Sequence, residues 1–254
     1  MHQLPIEQRI LLLLEIAALL ILCVRLFREG LHRIYPYFFL YLVLELLQTL
    51  IPFWVPLPSR AYRDLFVLSQ TLIVVFYALV VLELYSVILR NREGIARIAR
   101  RFIAVTLVLA ILAATLLLRL ERNTATMTGY LFAFERTVML SLVLSVLLIG
   151  AFLVYYPVPL GRNVIVYMAG YAALFLTATT VTLIQNLGYF WDRLLGGVNM
   201  GVFVACLIFW LMMLNRQGEN QRVVVGHQWN PSDEPRLIAQ LDAINATLLR
   251  SGRK

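Results

Sequence analysis

Five ionisable residues stand inside stretches that are otherwise apolar: Glu15, Glu45, Glu83, Glu135 and Arg136, with Asp64 at the start of one such stretch. Charged groups within hydrocarbon are costly. They face a bundle interior, pair with one another, or meet something the protein binds. Uncharged polar residues keep them company. Gln48 stands one turn after Glu45, on a stripe with Tyr37 and Tyr41. Gln70 lies early in the third stretch, and Asn199 opens the last. Thr179, Thr182 and Asn186 share a helical face with Tyr171 and Phe175, and Gln185 is beside it. Carboxyls, amides and a guanidinium supply hydrogen bonds and ionic contacts. The candidate ligand-binding set is therefore Glu45, Gln48, Gln70, Glu135, Arg136, Thr182, Gln185 and Asn186. Glu45 leads it, since it falls mid-stretch with no adjacent base, whereas Glu83 is expected to reach arginines beyond its own end. The competing reading is structural: interhelical hydrogen bonds worth about 1 kcal/mol or less each, with Arg136 neutralising a carboxylate.

Bond-making chemistry finds little support. His2, His32 and His227 lie outside the apolar stretches and far apart. No Gly-x-Ser-x-Gly, His-Glu-x-x-His or phosphate loop occurs. Cys23 and Cys206 sit within apolar stretches and read as buried reduced thiols, so no disulfide framework, metal or cofactor is expected.

The elements that must position the polar residues follow from composition. The chain has 254 residues, 61% hydrophobic and 14% charged, with mean hydropathy +0.81. A soluble domain is about half apolar and a quarter charged. An integral membrane protein is expected, with the lipid bilayer as its main partner. Seven apolar runs are long enough to span, at about 10–27, 35–55, 66–89, 102–118, 128–155, 163–187 and 195–214. Backbone groups in lipid must be satisfied within the segment, so each run is read as a helix. The fold class is all-α: a polytopic seven-helix bundle over residues 1–214 and a cytoplasmic tail over 215–254. The first run lacks a small-residue cleavage site and is read as a retained anchor.

Twenty-one arginines and one lysine give a net charge of +8. Arg25, Arg28, Arg33, Arg90, Arg92, Arg97, Arg100, Arg101, Arg162, Arg216 and Arg222 fall on one side. Arg9, Arg60, Arg63, Arg119, Arg122 and Arg193 fall on the other. The richer side is the cytoplasmic one, which places the protein in the cell membrane with its N-terminus outside and its C-terminus inside. Glu15, Asp64, Glu135 and Arg136 then lie in the outer third, so the outer half is expected to be polar inside and the inner half dry. The positive charge reads as loop and headgroup contact, and no nucleic-acid partner is expected. In the tail, Val223-Val224-Val225 is a short β-prone run. Ser232-Asp233-Glu234-Pro235 starts an amphipathic helix over about 233–250. Leu237, Leu241, Ile244 and Leu248 form its apolar seam, a surface for docking on the bundle or for a protein partner.

The chain also echoes itself. Leu46–Trp54 and Leu183–Trp191 share Gln48 with Gln185, Leu50 with Leu187, and Phe53-Trp54 with Phe190-Trp191. The runs that follow end alike, in Asn91-Arg92-Glu93-Gly94 and Asn215-Arg216-Gln217-Gly218. Two triplets around a linker helix would be a 3+1+3 parallel repeat, with equal orientation. This plan resembles, in topology over residues 10–214, the sugar-transporting SWEET proteins and the microbial rhodopsins. It is similar also to the seven-helix receptor regions of bacterial signalling enzymes. The lysine that a retinal Schiff base needs is absent between Met1 and Arg253, and no Pro-Gln pair of the PQ-loop kind occurs. Three functions stay open: a receptor-like or regulatory protein with an outer polar cavity, a small-solute transporter, and a structural subunit of a membrane complex.

Overall fold

The computed structural model describes residues 6–56, 59–89, 101, 105, 108, 112, 127–155, 159–186, 192–224 and 234–251. The described residues form eight α-helices: α1 (Ile6–Arg28), α2 (Pro36–Trp54), α3 (Arg60–Ile88), α4 (Met127–Tyr155), α5 (Arg162–Asn186), α6 (Asp192–Met213), α7 (Arg216–Asn220) and α8 (Glu234–Ser251). A short 3-10 turn, Leu31–Arg33, joins α1 to α2. Five stretches are long and apolar enough to cross a membrane: Arg9–Arg28, Pro36–Trp54, Arg60–Ile88, Arg162–Val181 and Leu194–Met213. The described apolar part of α4, Thr137–Leu153, is shorter. These are the marks of a multi-pass helical membrane protein. Most of the expected run at 102–118 and of the arginine-rich loop 90–101 lies outside the described residues.

The six long helices of the bundle form a ring in chain order. Each packs on the next, α6 closes back onto α1, and α5 also reaches across to α3. Connections of a few residues join α1 to α2, α2 to α3, α4 to α5 and α5 to α6, so these neighbours run antiparallel. One end of the bundle gathers the starts of α1, α3 and α6 with the ends of α2 and α5. The other end gathers the reverse. Large apolar side chains such as Leu13, Leu20, Phe27, Leu68, Leu147, Leu176 and Met212 face outward, where lipid would meet them.

An aromatic cluster fills the middle. Phe38, Tyr41, Tyr167, Tyr171, Phe175 and Trp210 are all fully buried. Ring centroids lie 4.8 Å apart for Phe38–Tyr167, 5.0 Å for Phe38–Trp210 and 5.0 Å for Tyr171–Trp210. Such pairs add about 0.5–1.5 kcal/mol each beyond burial. The cluster requires Gly170. A Cβ there would lie 2.3 Å from Trp210 Nε1, so only glycine lets α5 and the indole meet. That indole donates to the Val166 carbonyl at 3.4 Å.

Helix starts explain where hydropathy alone misplaces a boundary. The third apolar run begins at 66, but α3 begins at Arg60, because the Ser59 side chain caps it by accepting from Tyr62 N at 3.1 Å. The tail also differs in detail from its expected shape. Of the β-prone valines, Val223 and Val224 lie in a strand, Arg222–Val224, which pairs antiparallel with Pro159–Gly161. That partner strand has no sequence signal beyond its length. In α8, Leu241 is buried, but Ile244 is 43% exposed, so the apolar seam is not buried along its length. The side chains of Leu237 and Leu248 lie outside the described residues.

Candidate functional site

At the end where α1 begins, a cavity of about 260 Å³ opens between the helices. Every long helix of the ring lines it: Glu15 from α1, Glu45 from α2, Gln70 and Tyr77 from α3, Met139 from α4, Leu174, Phe175 and Ala178 from α5, and Gly196, Asn199, Met200 and Phe203 from α6. Glu45 faces the interior, as the stripe of Tyr41 and Gln48 requires. Its Oε1 accepts from Tyr41 Oη at 3.0 Å and from Tyr77 Oη at 3.3 Å. Gln48 Nε2 donates to Gln70 Oε1 at 2.7 Å, while Gln48 Oε1 is buried with no hydrogen-bond partner among the described residues.

Glu15 is placed differently. The residue is 8% exposed, and its Oε1 meets Thr49 Oγ1 at 3.0 Å. The same Thr49 hydroxyl lies 2.8 Å from the Glu45 carbonyl. One hydroxyl carries one hydrogen, so it can donate to only one of them at a time. Two further hydroxyls nearby, Tyr171 Oη and Thr179 Oγ1, are buried without a hydrogen bond among the described residues. Buried polar atoms left unpaired are uncommon. Gln48 Oε1 and Thr179 Oγ1 lie at this end and Tyr171 Oη in the aromatic middle, while His32 Nδ1 is another such atom at the other end.

The opposite end carries a second polar cluster, and every group in it is bonded. Glu83 of α3 accepts from the backbone of Tyr37 N at 3.0 Å and Phe38 N at 3.1 Å, and from Tyr167 Oη at 3.1 Å. Tyr35, the residue before Pro36, offers α2 no side-chain cap. Glu83 supplies it from another helix, its two oxygens accepting from free N–H groups of the helix start. Beside it, the fully buried Asn163 donates to the Asn215 carbonyl at 2.7 Å and to Glu219 Oε2 at 3.2 Å. Tyr35 Oη donates to the same Glu219 oxygen at 2.9 Å. Burial, then the Glu219 carboxylate, pushes the Tyr35 phenol well up from its ordinary value.

That cluster ties the tail down. Asn215 caps α7 by accepting from Gly218 N at 2.6 Å. A Cβ on Gly218 would fall 2.3 Å from Asn163 Oδ1, so glycine is needed for the close approach. Glu29, after α1, accepts from Arg216 N at 2.8 Å and from Arg25 Nε at 2.8 Å. Arg25 also donates to the Leu211 carbonyl near the end of α6. Arg162 N donates to the Gln221 carbonyl at 2.9 Å.

Glu83 caps α2 by accepting from two backbone N–H groups, and the arginines at 90–100 that it was expected to reach lie outside the described residues. One sequence expectation is corrected here: this end of the bundle is not dry. Its polar groups come from Asn163, Tyr35 and Glu219, which stand at or beyond the run ends and so escape a search for charges within apolar runs. Of the predicted set, Glu45 and Gln70 line the cavity and Gln48 bonds to Gln70. Glu135 and Arg136 lie on α4, and Thr182, Gln185 and Asn186 at the end of α5. Their side chains are outside the described residues, so the structure does not bring them to the cavity or remove them. Sequence reading placed Phe175 on the polar face of its helix but missed Tyr77, Thr49 and the apolar wall of Met139, Met200 and Phe203, because within an apolar run these residue types look like any other core. Glu15 was visible as an intramembrane charge.

Among the described residues, no group of three or more metal-ligating side chains occurs. Compared with known proteins, the chain matches no family model, no curated protein and no solved structure.

Proposed function

We propose that the chain is a receptor-like, regulatory protein of the cell membrane that holds a small ligand in the Glu15–Glu45 cavity. In this reading the residues 102–118 supply a seventh span, the N-terminus and cavity face outward, and the tail is cytoplasmic. The cavity carries the proposal, since a ligand within it would touch all six long helices at once. Its binding would bias how they pack, as any ligand does that fits one packing better than another. The far cluster gives such a bias a way out. Glu29, Tyr35 and Asn163 bond α7 to the ends of α1, α2 and α5, so movement of those helices moves the tail. The α8 helix, whose seam of Leu237, Leu241, Ile244 and Leu248 leaves Ile244 exposed, is the proposed surface for a protein partner.

The second reading is a small-solute transporter, favoured by one feature of the ring. Contacts of α1 with α2, α2 with α3 and α3 with α4 have counterparts in α4 with α5, α5 with α6 and α6 with α1. A 3+1+3 parallel repeat would produce that pattern. A cysteine at Asn199, in a chain whose Cys23 and Cys206 are replaced by alanine, separates the two. A receptor is labelled by an impermeant maleimide from the outside only, with or without ligand. Labelling from both sides, as conditions change, would make it a transporter. Labelling from the cytoplasmic side alone would overturn the orientation.

A further inference from the structure

The α6 helix has two unlike halves. In the second half, Val204, Cys206, Leu207 and Trp210 are buried. The Trp210 indole donates to the Val166 carbonyl, and the Leu211 carbonyl accepts from Arg25. In the first half, no described side chain before Val204 is buried, and Leu194 and Val198 are more than half exposed. Segments with few buried contacts are those that open most easily. The glycines divide the same way. Gly196, Gly197 and Gly201 fall within two turns of the first half. Glycine is the weakest helix former after proline, and membrane helices use it where a neighbour must come close. Gly170 of α5 has that use, against Trp210. The three in α6 do not: a Cβ at any of them would meet no described atom within 4 Å. What they leave to the helix is backbone freedom.

The same half is the α6 wall of the cavity. Gly196, Asn199, Met200 and Phe203 line it, and all four precede Val204. We propose that the first half of α6 is the gate of the cavity. It swings outward on its glycines to admit a molecule and returns to close, while the half from Val204 onward stays packed against α1 and α5. The purpose of the gate rests on the ligand site proposed above. A molecule in the cavity touches Asn199, Met200 and Phe203 only when the gate is closed. Its binding therefore favours the closed position, as a ligand favours whichever state it fits better.

The test uses the full chain in lipid nanodiscs, with Cys23 and Cys206 replaced by alanine and a single cysteine at Ala178 on the cavity wall. Gly197→Ala together with Gly201→Ala stiffens the gate. Neither glycine lines the cavity and neither Cβ meets a neighbour, so the change acts on the helix alone. Labelling of Ala178→Cys by a small hydrophilic maleimide should slow by more than about fivefold, and the thermal midpoint should hold or rise. Gly201→Ala alone serves if the pair fails to insert. Gly150→Ala, an equally open position of α4 outside the lining, should leave the rate unchanged. An unchanged rate in the double variant, or equal slowing by Gly150→Ala, would overturn the gate and leave the cavity as a ligand site. Disulfide linkage of two copies through Val198→Cys in the membrane would make the open glycines an interface between copies and overturn the gate too. Labelling of Ala178→Cys only after denaturation, in every variant, would sink the cavity reading as well.

Discussion

Glu15 and Glu83 are both buried acidic residues at opposite ends of one bundle, and they have opposite surroundings. Glu83 accepts from two backbone N–H groups and a phenol, so its oxygens are consumed by the fold. Among the described residues Glu15 meets one threonine hydroxyl, and that hydroxyl has a competing acceptor at 2.8 Å. The same contrast holds for amides. Asn163 is bonded to α7 and to the residue before it, whereas Gln48 leaves an oxygen unpaired. The lesson is that an intramembrane charge marks a site only when the fold leaves its polar atoms unused. A charge whose bonds are complete is a fastening.

The contrast can be broken by removing fastenings, beginning with the strongest. Glu83→Ala leaves three buried donors unpaired at roughly 1–3 kcal/mol each, so a stability loss on the order of 3 kcal/mol or more is expected. It should appear as a large fall in the thermal midpoint of the detergent-solubilised protein; a change within error would mean that the α2 cap is not structural. Gly170→Ala comes next. It forces a methyl against a fully buried indole and should cost about 1–3 kcal/mol. Trp210→Phe, combined with it, should recover part of the loss, and no recovery would separate the effect from that contact.

Asn163→Ala acts more locally. It releases Asn215 and Glu219 together, worth about 1–2 kcal/mol, and should free the tail. Limited proteolysis between α7 and α8 should accelerate while the bundle stays intact. Unchanged cleavage would show that the strand pairing of Arg222–Val224 holds the tail alone. The smallest effect belongs to the cavity end. Gln70→Leu removes the interhelical hydrogen bond from Gln48, worth about 0.6 kcal/mol in a membrane, and should move the midpoint far less than Glu83→Ala. A loss as large as that of Glu83→Ala would show that both ends are fastenings.

Membrane character was plain in composition, and most span boundaries fell within a few residues of the observed helices because hydropathy reports what lipid must cover. The exception, α3, shows the limit: lipid does not decide where a capped helix starts, and Ser59 does. Glu45 facing inward was legible from helical spacing alone. The role of Glu83 was not, because its partners are backbone groups of another helix and backbone donors leave no mark in a sequence. The motif Asn215-Arg216-Gln217-Gly218 looked like half of an echo. In the structure it caps α7 and lets Asn163 approach, a local role that would conserve its spacing with or without a repeat. The edge-to-face pair of Tyr77 and Phe175 brings α3 against α5, and no local pattern could pair them.

The account rests on one end of the bundle being open and the other shut. Cysteine replacements at Ala178, on the cavity wall, and at Val166, one turn from Asn163, compare the two ends in a chain otherwise free of cysteine. Reaction with a small hydrophilic maleimide in intact membranes should label Ala178→Cys and leave Val166→Cys unlabelled until the protein is denatured. Equal labelling of both positions, or labelling of Val166→Cys alone, would contradict the account.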